Sequence, residues 1–344
     1  MALCQKEFLD FHEKIKLKLE NQVLSEKRDI IIKRIRENLS KDESKPFTIF
    51  NQGSYAMKTG IVPLDGNYDI DVGLYFDMSR DDALSVEAKR WVYNAVKNHT
   101  DNVVYKNPCV TVTYSAGYHV DITIYSATNA NGKVYLAKGK PNSNAEDKFW
   151  DESNPKDLIE VVKYHLSDEE DRKQFRRVVR YLKRWKDIHF ADVNGKPTGI
   201  ALTSCAYHWL NIQKETDSFT GKKTYKDLDA LIILVQQMIS RFIDDMVEID
   251  GEYKWMPRLK VTLPVEPKPD LFEKMTSSQM QTFKEKLERL LKGLEEAKIK
   301  VDPVDAAKIL QKYFGTDFPI PTRPTTGKKS VAKAVIPSSE SANI

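Results

Sequence analysis

Apolar residues recur at threes and fours from Lys6 to Asn38, at Phe8, Phe11, Ile15, Leu19, Val23, Ile30, Ile31 and Ile35, which predicts one long amphipathic helix or two in succession. The period then changes. Phe47 to Phe50 is a short apolar run, and Tyr68 to Phe76 alternates with Ile70, Val72, Leu74 and Phe76 on one side, the pattern of a strand with one buried face. A helix is predicted over Asp81 to Asn98, then strands near Val103 to Tyr105, Cys109 to Tyr114, Tyr118 to Tyr125 and Lys133 to Ala137. After "FWDESNPKD" helical periods dominate, at Pro155 to His165, Asp168 to Phe190, Thr198 to Gln213, Leu228 to Val247, Ser277 to Ala297 and Pro303 to Phe314. The expectation is a mixed α+β region followed by a nearly all-helical one. Val261 to Asp270, "VTLPVEPKPD", is too rich in proline for either element and reads as an ordered connecting loop. From Pro319 onward Pro, Ser, Thr and Lys leave little to bury, so a flexible tail is expected.

Composition narrows the class. With 344 residues, 41% hydrophobic and 30% charged, the chain has material for a substantial core in two domains or one large one. No apolar run approaches the ~18 residues a membrane span needs, and the first residues mix acids and bases where a signal peptide has an apolar core, so a cytoplasmic protein is expected. Cys4, Cys109 and Cys205 form no CxxC pair, and the six histidines show no HExxH spacing, which argues against thiol or histidine metal chemistry. The net charge of +4 is concentrated in the tail, where Arg323, Lys328, Lys329 and Lys333 face only Glu340. The body is then nearly neutral, which argues against tight constitutive binding of nucleic acid.

The chemistry lies in three carboxylates. Strand alternation puts Asp69 and Asp71 on one face while Ile70 and Val72 point to the core. Two carboxylates so close repel one another unless cations lie between them, so a DxD on a strand is either a hard-metal site or a solvated strand end. The later strand "GYHVDITIYS" puts His119, Asp121 and Thr123 on one face; if it pairs beside the first, Asp121 joins the pair. Three such carboxylates suit two Mg²⁺ ions ~3.5 to 4 Å apart, the clamp of phosphoryl transfer. Upstream, Gly53 allows close backbone approach to a phosphate, the Ser54 hydroxyl can donate to its oxygens, and "SYAMKTG" is expected to open a short helix whose N-terminus favours an anion.

In this order, Gly-Ser, Asp-x-Asp and a third Asp resemble the pattern of the DNA-polymerase-β-like nucleotidyltransferase superfamily. Within it, residues 5 to 318 are similar to the cGAS/DncV-like nucleotidyltransferases, bacterial CD-NTases that make cyclic oligonucleotide signals in antiphage defence. The likeness extends to "NQGSYAMKTGIVP", "FWDESNP", "RRVVRYLKRWKD" and "GKPTGIALTSCAYHWL". It implies an α+β fold: a polymerase-β-like core with a mixed sheet and long N-terminal helix over residues 1–150, a helical-bundle lobe resembling oligoadenylate synthase and cGAS over 151–318 that closes the cleft, and a tail at 319–344. By the same likeness Asp69, Asp71 and Asp121 coordinate two Mg²⁺, with Mn²⁺ as a substitute, and Gly53 and Ser54 contact the triphosphate, with Gln52 as an added nucleotide contact. Lys183 reaches the phosphates, with Lys186 as the fallback, assisted by a hydroxyl from Thr198 or Ser204.

The implied substrates are nucleoside triphosphates, ATP and/or GTP or others, and the implied product is a cyclic di- or trinucleotide that diffuses to an effector. No zinc insertion of the vertebrate DNA sensor is found, so an obligate nucleic-acid partner is not expected; nor is a membrane, and the chain is expected to be a monomer. A conjugation enzyme acting on the terminal Ala342-Asn343-Ile344 is a further implied partner. Two other readings stay open: a linear template-independent transferase (RNA-tailing, CCA-adding or oligoadenylate synthase-like) and a catalytically dead binding module.

Between Arg172 and Lys186 eight basic residues, Arg172, Lys173, Arg176, Arg177, Arg180, Lys183, Arg184 and Lys186, accompany an apolar stripe of Phe175, Val178, Val179, Leu182 and Trp185. The cationic face is solvated, lines a nucleotide cleft or binds RNA. Tyr68 and Tyr118 flank the carboxylate strands and either pack in the core or stack on a base, while Trp150, Trp185 and Trp209 are assigned to packing.

Overall fold

The leading periodic segment forms two helices. α1 (Gln5–Ile15) ends where Lys16 becomes extended and bridges Ile61, and α2 (Glu20–Asn38) follows. The computed structural model describes residues 4–18, 20–39, 45–191 and 195–323. The two helices serve different cores. Phe8 and Phe11 of α1 are fully buried among helical-lobe residues such as Tyr181, Phe314 and Phe318, whereas Leu24, Ile31 and Ile35 of α2 pack on a sheet. A helix read in sequence with the sheet region thus also anchors in the helical lobe.

That sheet is built from β1 (Phe47–Asn51), then the short helix α3 (Gly53–Ala56), β2 (Tyr68–Phe76), α4 (Ser85–Val96), β3 (Asn102–Tyr105), β4 (Val110–Thr113), β5 (Tyr118–Ser126), β6 (Tyr135–Ala137) and β7 (Trp150–Glu152). The strand order is β1-β2-β5-β4-β3, with β6 on the end of β5 and β7 on β6. Only β2 and β5 run parallel; the other pairs are antiparallel, so the sheet is mixed. Ile70, Val72, Leu74, Val120, Ile122 and Ile124 are all fully buried on the face covered by α2 and α4. By alternation the opposite face of β2 and β5 is left for polar groups.

The second half contains α5 (Pro155–Tyr164), α6 (Glu169–His189), α7 (Gly199–Trp209), β8 (Lys214–Thr216), β9 (Lys223–Tyr225), α8 (Asp227–Ile239), β10 (Ile243–Ile249), β11 (Glu252–Arg258), α9 (Ser277–Ile299) and α10 (Pro303–Phe314). Helices dominate, but two predicted helices run too long, the second of them across the first strand of the β10–β11 hairpin, and the β8–β9 hairpin falls between them. The segment Thr198 to Gln213 leaves the helix after Trp209, and the Gln174 side chain takes over both the N–H and the C=O of Gln213 at 2.9 Å. Leu228 to Val247 leaves the helix after Ile239, and β10 and β11 close through Asp250 and Gly251 at φ 54° and 80°, the paired positive φ of a type I′ hairpin turn. The Asp-Gly pair was the available signal. The period was misleading because the ribbon is mostly solvent-exposed, with Met246, Tyr253 and Trp255 all outside the core.

The basic face of α6 is not a solvated stripe. Arg177 forms a two-pronged pair with Asp227 (2.6 and 2.8 Å), which also accepts from Tyr181 and Gln174, in a fully buried network. Arg180 donates to the carbonyls of Gly60 and Lys58, and Arg184 to that of Val62. Arg172, Lys173 and Arg176 pair with Glu169 or Glu170 on their own helix. The guanidiniums therefore latch the helical lobe onto the 58–62 loop that follows α3. Trp185 is buried, and the Trp150 indole donates to the Ala83 carbonyl at 2.9 Å. The three cysteines are buried free thiols. Arg323 pairs with Asp302 and Asp305; residues 324–344 of the expected tail lie outside the described residues. Among the described residues no helix is long and apolar enough to cross a membrane.

Candidate active site

Strands β2 and β5 lie side by side with Asp69 opposite His119 and Asp71 opposite Asp121. The alternation that buries Ile70, Val72, Val120 and Ile122 turns Asp69, Asp71 and Asp121 out on the other face. One oxygen from each carboxylate lies within 4.8 Å of the other two. Among the described residues this is the grouping of acidic, histidine or cysteine side chains suited to a metal ion.

The electrostatics are those of a site built for cations. The Asp69 and Asp71 carboxyls are both pushed above the ordinary carboxylate range, first by removal from water and then by the charge of their neighbours, Asp71 and Asp121 for Asp69, and Asp121 for Asp71. Asp69 is the exposed member of the three, while Asp71 and Asp121 are half-buried. Lys106 acts in the opposite direction on both, as does Lys183 on Asp71.

Gly53 has a geometric reason to be glycine. Its φ is +63°, and a Cβ placed there would come 1.8 Å from Asp71 Oδ2. The backbone at the start of α3 is thereby pressed against the Asp71 carboxylate. Gln52 is the brace beneath it: its N–H donates to the Asp71 carbonyl (3.0 Å), its side-chain amide donates to Thr123 Oγ1 (2.7 Å), and its Oε1 accepts from the Tyr125 hydroxyl (2.9 Å). Its polar atoms face protein, where the family resemblance implies a nucleotide contact.

Ser54, Asp69, Tyr68, Lys183, Lys186 and Gly199 share a groove of about 200 Å³. Lys183 is buried, donates at 3.1 Å to both the carbonyl and the hydroxyl of Thr59, and lies beside Gly199 at the start of α7. Burial, then the charges of Arg180 and Lys186, pull its ammonium down to about 7. Lys186 pairs with Asp187. Thr198 is the N-cap of α7, accepting from the Ala201 N–H at 3.2 Å, so its hydroxyl already has work in the helix. Ser204 is fully buried, and its Oγ has no hydrogen-bond partner among the described residues. Tyr68 and Tyr118 stack on each other with centroids 5.2 Å apart.

Two larger cavities share this segment. One of about 720 Å³ is lined by Ser54, Tyr55, Lys58, Lys156, Lys163 and Arg180. One of about 400 Å³ is lined by Gly53, Met57, Ile200 and the proline-rich segment Leu263, Val265 and Pro267.

Three supporting residues escaped the sequence reading. Thr111 lies opposite Asp121 on β4 and donates to its Oδ1, Lys106 approaches the same oxygen at 3.6 Å, and Thr59 receives Lys183. The alternation of "VTVT" put Thr111 on a strand; only the β4–β5 pairing shows what it faces.

Residues 47–125 match the family model for the nucleotidyltransferase domain of DncV-like cyclic GMP-AMP synthases. A cyclic GMP-AMP synthase of Escherichia albertii is 27% identical over 222 residues, covering 60% of this chain and 48% of that protein. The chain thus spans about half the length of this curated relative. Similar solved structures are the Vibrio cholerae DncV cyclic AMP-GMP synthase in complex with nonhydrolyzable GTP (19% identity, 89% of this chain and 93% of that chain, TM-score 0.68) and the Bradyrhizobium diazoefficiens CD-NTase CdnG in complex with GTP (17%, 90% and 94%, 0.63). E. coli MS115-1 CdnC with ATP aligns equally broadly (18%, 91% and 98%, 0.64). The carboxylate-bearing sheet is thus similar to a DncV-like nucleotidyltransferase domain, and about nine-tenths of the chain shares the fold of the DncV and CD-NTase structures.

Proposed function

We propose that the chain is a template-independent nucleotidyltransferase that joins nucleoside triphosphates, releases pyrophosphate and closes a cyclic di- or trinucleotide. The observation that carries this reading is the carboxylate triad on β2 and β5 with the Gly53 backbone pressed against Asp71. Such a donor set, all hard oxygen and crowded with like charge, fits divalent magnesium or manganese. Asp69, Asp71 and Asp121 would hold two Mg²⁺, which supply activation of the attacking hydroxyl and neutralisation of the leaving pyrophosphate.

The remaining steps belong to side chains. Ser54, at the groove mouth, donates its hydroxyl to a phosphate oxygen of the donor triphosphate. Lys183 exchanges Thr59 for a phosphate oxygen; an ammonium that is costly to keep charged when buried becomes fully charged beside an anion. Asp121 faces the 2′- or 3′-hydroxyl of the acceptor and helps draw off its proton. The cavity walled by Met57, Ile200, Leu263 and Val265 offers apolar surface for a base. Gln52, Thr198 and Thr111 position the groups that touch substrate. The Vibrio cholerae relative has been solved with the linear intermediate 5′ pppA(3′,5′)pG, which supports a stepwise route in which a linear product rebinds before ring closure. The substrates are then ATP, GTP or both, and the role is synthesis of a diffusible signal for an antiphage effector in the cytoplasm.

Incubating the pure protein with the four NTPs and Mg²⁺, followed by phosphatase, is expected to leave a small resistant product, absent when EDTA is added. Products that are all phosphatase-sensitive would make the enzyme a linear transferase, and no pyrophosphate release at all would make it a binding module.

A further inference from the structure

Asp121 has two partners on one oxygen. Thr111 Oγ1 donates to Asp121 Oδ1, and Lys106 Nζ stands 3.6 Å from that same atom. Both partners lie on the β3–β4 hairpin, Lys106 in the connecting turn that closes through its own N–H to the Cys109 carbonyl at 2.9 Å. This turn is unusually well anchored. Lys89 of α4 is fully buried, and its ammonium donates to the carbonyls of Lys106 (3.0 Å), Asn107 and Gly139, while the Asn107 side chain accepts the Gly139 N–H at 2.8 Å. A buried ammonium is costly unless its hydrogen bonds are met, and here three carbonyls meet them. One lysine therefore fixes the backbone from which the other projects.

We propose that Lys106 is the resident counter-ion of the triad, paired with Asp121 through Oδ1 until a divalent cation takes its place. The proposal rests on the reading of the triad as a metal-holding site. Three carboxylates within 4.8 Å of one another repel, and the Lys106 ammonium stands 3.6 Å from an oxygen of one of them. As the metal loads, its charge replaces that of the ammonium. Lys106 is half-exposed on a flexible stem and can withdraw toward solvent without disturbing the turn, which Lys89 holds through backbone carbonyls.

The lysine and the metal thus compete for the same negative charge, and this sets the sign of the test. Mn²⁺ binding to the full-length protein is measured by electron paramagnetic resonance for wild type, Lys106→Met, Lys106→Arg and Asp71→Asn. Lys106→Met is expected to bind Mn²⁺ about five- to tenfold more tightly, the scale of losing one partly screened positive charge near a divalent ion. Lys106→Arg, which keeps the charge, is expected to stay within about twofold of wild type. Unchanged or weaker binding in Lys106→Met would overturn the counter-ion role while leaving the triad's reading intact. Failure of wild type to bind, or binding unaffected by Asp71→Asn, would overturn the metal-site reading as well.

Discussion

Replacing Asp71 with Asn is expected to lower nucleotidyl transfer by on the order of a thousandfold while making the metal-free protein more stable. The two effects have one cause. Asp71 is crowded by Asp69 and Asp121, and burial together with the Asp121 charge raises its carboxyl above the unfolded value. A carboxyl with a raised folded value favours the fold while protonated and loses that contribution as pH rises through the folded value. The ionised triad without metal is therefore a destabilising element that grows from the ordinary carboxylate range upward. An amide removes one charge, so the gain in thermal midpoint in EDTA should be larger at pH 8 than at pH 5. Adding Mg²⁺ should stabilise wild type and leave Asp71→Asn nearly unmoved. Thermal scans across pH with and without Mg²⁺, together with pyrophosphate release, check both halves. A variant that is less stable at pH 8 in EDTA would mean that Asp71 is a structural ion-pair partner.

Gly53→Ala is the second large effect, and here activity and stability fall together. The backbone at Gly53 is left-handed, at φ +63°, which costs an alanine roughly 1–2 kcal/mol. The new methyl also meets Asp71 Oδ2 at 1.8 Å, a distance no rotamer change of alanine can relieve. Either α3 moves off β2, carrying Ser54 out of the groove, or the Asp71 carboxylate swings away from its neighbours. Each displacement separates Ser54 from the carboxylate face, and on the proposed reading transfer is lost with it. The expected result is a folded protein whose midpoint is lower by several degrees and whose activity is lost beyond about a hundredfold. Circular dichroism melting and the same pyrophosphate assay measure it; near-normal activity would mean that α3 does not form part of the site.

The triad was legible because period-two alternation is a local rule. Asp69 and Asp71 two residues apart must share a face, and Asp121, two before Thr123 on a similar strand, needed only the parallel pairing of β2 with β5 to join them. The supports were not legible because they depend on which elements become neighbours. Thr111 is one threonine among several until β4 lies against β5, and Lys106 lies in a turn whose direction is set by a buried lysine on another helix. Gln52, adjacent to Gly53 in sequence, turns its amide inward to Thr123 and Tyr125. On α6 the apolar stripe was correctly placed in the core, but the period could not tell that Arg177, Lys183 and Arg184 would also be buried, each against an acceptor elsewhere in the chain. The hairpin of β10 and β11 was hidden because an exposed ribbon has no buried face to impose a period.

The most direct test of the two-metal site is anomalous diffraction from crystals grown with Mn²⁺ and a nonhydrolysable nucleoside triphosphate. Two anomalous peaks about 3.5 to 4 Å apart are expected, both ligated by Asp69 and Asp71 and one of them by Asp121, with the triphosphate against Ser54. Manganese elsewhere in the chain, or a nucleotide bound with the three carboxylates free of metal, would contradict it.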